Sequence, residues 1–343
     1  MRAKAAAVAM MATAALGVGA TAAGAAGPPP PPTAPGGQTV TQVAAGLKTP
    51  TSFAFGAGKV FEGDGGNTSG NKPPNGGVYL LSGGQGVKLA GSPEFVSGLA
   101  WQKGALYIAG GSVTKKGPVF QLQRWSGFNG TTFAKRTVIY TAPKGFDGFN
   151  GIAFAPNGRL YVGVDLGLTD GNDHGPAKTP YVYDILSLKA NGTGLKVFAT
   201  GIRQPWQMAF VKGSNAPFVS ALGQDKGAKN PPDFVLRVHQ GDNYGFPKCN
   251  WTKGSPCTGF TKPFQTFAPH TDIMGMAIIG KRLYMTSFLG TTGKAGEVFS
   301  MPLTGGKLTP VVTGFVASTV GLGTDGHSLY IGELTGQVFK VTP

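Results

Sequence analysis

The chain has 343 residues, 57 of them glycine, with 13% charged residues and a formal charge of +15. Its basic residues are scattered, with no run longer than Lys115-Lys116; this argues against a nucleic-acid binder, which concentrates charge on one face or segment, and reads as a soluble cationic surface. No window sustains a helical period, so the expected class is all-β, with strands broken by glycine turns.

Residues 1–26 begin with Arg2 and Lys4 and continue as an uncharged run of Ala, Val, Met, Leu, Gly and Thr from Ala5 to Ala26. Charge, length and small residues near the end fit a cleaved signal peptide better than a membrane anchor. The expectation is a secreted or periplasmic protein with no stable membrane insertion after cleavage. Residues 27–37, GPPPPPTAPGG, read as an extended polyproline-type spacer. Residues 38–343 then form one β domain.

Within that domain a unit recurs: a strand with a small residue at its centre, a glycine turn, and a second strand carrying an aromatic residue. Its copies are TSFAFGAGKVFEGD (51–64), SGLAWQKGALYIAG (97–110), NGIAFAPNGRLYVGVD (150–165), WQMAFVKGSNAPFVSA (206–221), MGMAIIGKRLYMTS (274–287) and VGLGTDGHSLYIGE (320–333). The central small residues are Ala54, Ala100, Ala153, Ala209, Ala277 and Gly323, separated by 46, 53, 56, 68 and 46 positions. Such periods mark propeller blades of four strands. The predicted fold is a six-bladed β-propeller. The chain stops after a third strand, so the segment 39–47 (TVTQVAAGL) is expected to supply the missing fourth and to close the ring.

In such a fold the loops leading into the inner strands converge at one channel mouth. The first offers only the hydroxyls of Thr49, Thr51 and Ser52. Asp147 lies in the third, either as a catalytic carboxylate or as a turn residue. Arg203 lies in the fourth, TGIRQPWQMAF, where a guanidinium can clamp a carboxylate or brace the repeats. His270 and Asp272 lie in the fifth, as a general-base pair or a capped turn. Phe146, Phe149 and Trp206 are candidates to stack on sugars. Cys249 and Cys257 are expected to form a local disulfide in an oxidising compartment. DGNDHG (170–175) lacks the twelfth-position Glu of an EF-hand and leaves room only for a looser calcium site.

GIAFAPNGRLYVGVD (151–165), DILSLKANGTGLKVFATGIRQPWQMAF (184–210) and PPDFVLRVHQGDNYGFP (231–247) resemble the glucose/sorbosone dehydrogenase family. APHTDIMGMAI (268–278) is similar to that family's histidine-containing segment. The resemblance implies a six-bladed quinoprotein that uses pyrroloquinoline quinone (PQQ) and calcium to oxidise a sugar at C1 or an aldehyde. It also implies that Arg203 and Gln204 contact the quinone or its carboxylates and that Asp242, Asn243 and Tyr244 shape the adjoining loop. Three positions depart from the family pattern. The histidine before the third inner strand is replaced by GFDGFNG (145–151), the fifth-blade lysine by SFLG (287–290), and the arginines before the sixth inner strand by VASTVGL (316–322). His270 or Asp147 would then have to act as the base. The alternative is a catalytically silent propeller that binds a saccharide, a peptide or a cell-wall polymer.

Overall fold

A computed structural model describes residues 30–67, 73–165, 179–224, 231–289 and 296–343. All its regular structure is β. The first strands are β1 (Val40–Ala45), β2 (Pro50–Gly56), β3 (Lys59–Asp64), β4 (Gly77–Ser82) and β5 (Gly84–Lys88). Then come β6 (Phe95–Gln102), β7 (Ala105–Thr114), β8 (Gly117–Phe128), β9 (Phe133–Thr141), β10 (Phe149–Phe154), β11 (Arg159–Val164), β12 (Ile185–Lys189) and β13 (Lys196–Ala199). They are followed by β14 (Pro205–Phe210), β15 (Pro217–Ala221), β16 (Asp233–Arg237), β17 (Gln265–Phe267), β18 (Ile273–Ile279), β19 (Arg282–Ser287), β20 (Glu297–Pro302) and β21 (Thr309–Val312). The last are β22 (Thr319–Thr324), β23 (Leu329–Glu333) and β24 (Gln337–Val341). Among the described residues no helix is long and apolar enough to cross a membrane.

Four sheets are antiparallel meanders of four strands, β6–β9, β10–β13, β14–β17 and β18–β21. The fifth has eight strands in the order β2-β3-β4-β5-β1-β24-β23-β22. β1 pairs antiparallel with β24, Val40 opposite Val341, and its end also runs parallel to β5, Ala44 opposite Gly84. That parallel contact joins the first and last repeats into one sheet, a seam not foreseen from the sequence. Within the series β2, β6, β10, β14, β18 and β22 each first strand contacts the next, and β22 contacts β2. This is a β-propeller arrangement.

The first strands share one irregularity. Each is bulged against its second strand at the same place: between Pro50 and Ser52, Val96 and Gly98, Phe149 and Ile152, Pro205 and Met208, Ile273 and Met276, and Thr319 and Leu322. A bulge bends the strand and re-aims its side chains. Here it brings neighbouring first strands close together. A Cβ on Gly321 would lie 2.6 Å from the carbonyl oxygen of Pro50, so only glycine fits there.

Polar side chains stitch one sheet to the next at this level. Thr51 Oγ1 donates to Val96 O (2.8 Å), Asn150 Nδ2 to Pro205 O (3.1 Å), Ser220 Oγ to Met274 O (2.8 Å) and Thr286 Oγ1 to Val320 O (3.1 Å). Gln207 Nε2 reaches Thr51 O at 3.4 Å, linking β14 to β2. These bonds satisfy carbonyls that the bulges take out of the ladder. Apolar layers fill the space between sheets; one comprises Tyr107, Phe149, Leu160 and Val162, another Phe218, Ile273, Met276 and Phe299.

Candidate functional site

The loops leading into the first strands meet at one end of the molecule, here called the mouth. Arg203 lies there, in the turn between β13 and β14, and is buried. Its Nη1 donates to Leu222 O at 3.1 Å and also to Gly223 O, at the end of β15. Gln204 is fully buried at φ 50°, and its Nε2 donates to Asp165 Oδ1 at 3.4 Å.

Asp233, at the start of β16, organises the adjoining loop. It accepts from the Gly223 amide at 2.6 Å and from the Asp272 amide at 2.8 Å. Burial raises its pKa, and those two amides, His270 and Arg203 pull it back down. His270 is exposed, at φ 62°, and Asp272 follows at φ 49°. Tyr183 completes the group from the β11–β12 connection, buried at φ 71°. Its hydroxyl has no hydrogen-bond partner among the described residues. Burial raises its pKa; Arg203 favours the ionised form and Asp147 opposes it. Asp147 accepts from Thr179 Oγ1 at 2.5 Å. Four non-glycine residues at positive φ thus gather at one mouth, each costing on the order of 1–3 kcal/mol, a concentration of strain typical of functional sites.

Beside Arg203 a cleft encloses about 350 Å³ of empty space, part of it open to solvent. Leu222, Phe234, Tyr244, Phe246 and Trp251 give it an apolar and aromatic wall, and Arg203 and Gln224 supply polar groups. A disulfide between Cys249 and Cys257, with Cα atoms 5.0 Å apart, closes the loop that carries Trp251, as expected from the sequence. Trp251 Nε1 donates to Tyr244 O at 3.1 Å, which fixes the ring.

The structure therefore brings Arg203, Gln204, His270 and Asp147 to one mouth. Tyr244 lines the cleft through its ring, while its hydroxyl donates to Arg237 O at 3.0 Å. Asn243 serves a turn: Oδ1 accepts from the Gly245 amide at 2.9 Å, and its backbone bridges to Thr200. Phe146, Phe149 and Trp206 are buried in core layers rather than presented to a sugar. The hydroxyls of Thr49 and Thr51 are turned onto the backbone, to Gly66 O and Gly63 O. Asp233, Tyr183 and Trp251 escaped the sequence reading. The one available signal for Asp233 was a carboxylate opening an otherwise apolar strand, PPDFVLR.

Among the described residues no group of three His, Cys, Asp or Glu side chains is placed to hold a metal ion, so the calcium expectation gains no support. DGNDHG (170–175) lies outside the described residues. PQQ is a planar tricycle with three carboxylates. The cleft has an aromatic wall of the kind on which a planar ring stacks. Arg203 offers a guanidinium to one carboxylate. The residues fit the ring and one carboxylate.

No protein-family model and no curated protein matches the chain. Solved structures do. An oxidoreductase (glucose dehydrogenase) of Thermus thermophilus is 20% identical, with TM-score 0.68 over 89% of this chain and 100% of that one. The PQQ-bound aldose sugar dehydrogenase of Streptomyces coelicolor is 18% identical, with TM-score 0.65 over 90% and 99%. A Trichoderma reesei enzyme of carbohydrate-active family AA12 is 17% identical, with TM-score 0.71 over 92% and 98%. The chain shares the fold of these sugar oxidoreductases. The resemblance read from residues 151–247 and the likeness of the folds converge on the same group of proteins.

Proposed function

We propose that the protein is an exported sugar oxidoreductase on a six-bladed propeller closed by β1, acting at the C1 hydroxyl of a sugar or on an aldehyde with PQQ as cofactor. The observation that carries this reading is the junction of Arg203, Asp233 and His270 beside an aromatic cleft, on a fold shared with sugar dehydrogenases. PQQ, when bound, supplies the hydride acceptor. Arg203 orients the anionic end of the ligand, held in place by its bonds to Leu222 O and Gly223 O. The walls formed by Phe234, Phe246 and Trp251 exclude water from one face. His270 takes the proton of the C1 hydroxyl, and the Asp233 carboxyl, oriented by two backbone amides, stabilises the imidazolium that forms. Asp147, beside Tyr183, is the second candidate base.

Calorimetric titration of the protein with PQQ tests the cofactor, and dye-linked oxidation of glucose and related aldoses tests the reaction. Micromolar binding that Arg203→Ala weakens at least about tenfold supports the assignment, since a charge-assisted contact is lost. Absence of binding refers the protein to the second reading, a saccharide-binding propeller without turnover. The existing bonds of Arg203 to two carbonyls, a bracing role, favour that reading.

A further inference from the structure

The two ends of the molecule differ in charge, although the basic residues look evenly scattered along the sequence. Each sheet is a meander, so first-to-second and third-to-fourth turns all lie at the end opposite the mouth. Asp64, Asp147, Asp165, Asp233, Asp272 and Glu333 stand at the mouth, at strand ends or in the loops leading into first strands. At the opposite, hairpin end the carboxylates among the described residues are Asp242 and Asp325, and each caps its own loop. Asp242 accepts from the His239 amide at 2.7 Å; Asp325 accepts from the amides of His327 and Ser328 at 2.9 and 2.7 Å.

Against these two stand exposed lysines in the turns of successive sheets. Lys59 opens β3, Lys103 lies in the β6–β7 turn, Lys189 ends β12, Lys212 lies in the β14–β15 turn, Lys281 in the β18–β19 turn and Lys307 in the β20–β21 turn. Three arginines at the same end are turned inward. Arg159 donates to Ser187 O and Gly194 O, Arg282 to Ser300 Oγ, and Arg237 lies over the Phe218 ring. The exposed charge is therefore mainly lysine, spread as point charges over a broad face, with Arg136 beside the β8–β9 turn as an exposed arginine.

We propose that the hairpin end is a docking face for an anionic polysaccharide, a chain bearing carboxylates at regular intervals, and that docking there leaves the cleft at the mouth facing outward. A flexible polyanion is held by the sum of such charges through counterion release, without a pocket. A bilayer would call for interfacial aromatic residues, whereas the large exposed apolar residues among those described are four valines, Val87, Val138, Val197 and Val316. Duplex DNA is a stiff rod, whereas these lysines lie in the turns of sheets whose first strands follow one another in a ring, a path that a flexible polyanion follows more closely. The docking proposal stands independently of the catalytic reading.

The test measures binding of the full chain to polygalacturonate, with neutral dextran, a DNA duplex and phosphatidylserine vesicles as comparison ligands. Binding to polygalacturonate at low salt should fall at least about tenfold in half-molar salt. The triple variant Lys59→Glu, Lys103→Glu, Lys281→Glu should lose at least about tenfold in affinity. Lys115→Glu, Lys116→Glu, Lys144→Glu changes the net charge equally but at the mouth, and it should bind like the unmodified protein. Thermal melts of both variants check that each is folded. No binding, equal binding to dextran, equal loss in the two triples, or tighter binding to DNA or vesicles than to polygalacturonate would overturn the proposal.

Discussion

Glu62 occupies a position that the other repeats fill with Ile108, Val162, Val219, Met285 and Ile331, all within apolar layers. It is fully buried, and neither carboxylate oxygen has a hydrogen-bond partner among the described residues. Burial first, then the charge of Asp64, holds its pKa well above the usual carboxylate range. An unpartnered buried carboxyl costs on the order of 1–3 kcal/mol, so Glu62→Leu should stabilise the protein by about that amount at neutral pH. Urea unfolding at pH 5 and pH 8 should show the larger gain at pH 8, where the wild-type group is pressed to ionise; destabilisation at both values would mean that Glu62 has a role its burial conceals. Asp184 gives a second pH signature. Burial alone raises it from 3.8 to about 7. Its folded pKa exceeds its unfolded value, so the stability it allows is complete below about pH 4, is lost as pH rises toward 7, and is level beyond. Discounted for partial exposure, Asp184→Asn should match wild type near pH 4 and exceed it by roughly 1–2 kcal/mol at pH 8. A difference that does not vary with pH would refute the shift. Neither carboxylate was legible as unusual in the sequence. KVFEGD reads as ordinary alternation, and only the aligned second strands expose Glu62 as an intruder.

At the level of elements, the repeats were legible because a propeller strand must carry a small residue where neighbours crowd and an aromatic residue where layers fill. Arg203 and His270 were legible for the same reason, since each immediately precedes a recognisable first strand. The common bulge was not, because it depends on how first strands approach one another rather than on any strand's own pattern. Gly321 is where that approach is tightest to a carbonyl that β2 supplies. Gly321→Ala would force β22 and β2 apart and should cost at least about 2 kcal/mol, by the ordinary penalty for overpacking. Chemical unfolding checks this, and a loss under about half a kcal/mol would show that the strands have slack. Asn243 and Tyr244 illustrate the opposite limit. Their sequence context was distinctive, but a context of this kind does not reveal whether a side chain turns to a ligand or to its own backbone.

At the scale of the whole molecule, what the chain order hides is how distant parts share an edge. Lysines from as far apart in the chain as Lys59 and Lys307 come to share one face because each repeat turns at the same end. The segment 39–47 joins residues at the far end of the chain, with β1 between β24 and β5. An eight-stranded sheet that depends on β1 makes this short strand a structural keystone. Its removal would expose the edges of β24 and β5 together and uncover Phe53, Tyr330 and Val338, which share a layer with Ala44 and Leu47. Deletion of residues 38–48 should therefore abolish the cooperative melt or yield aggregated protein, because two edges and an apolar layer are lost for the few residues removed. Adding the excised segment back as a peptide distinguishes a seam from a merely stabilising strand: recovery of the native transition on peptide binding would establish β1 as the piece that joins the first and last repeats. A deletion variant that melts like the full chain would show that β24 and β5 hold together without it.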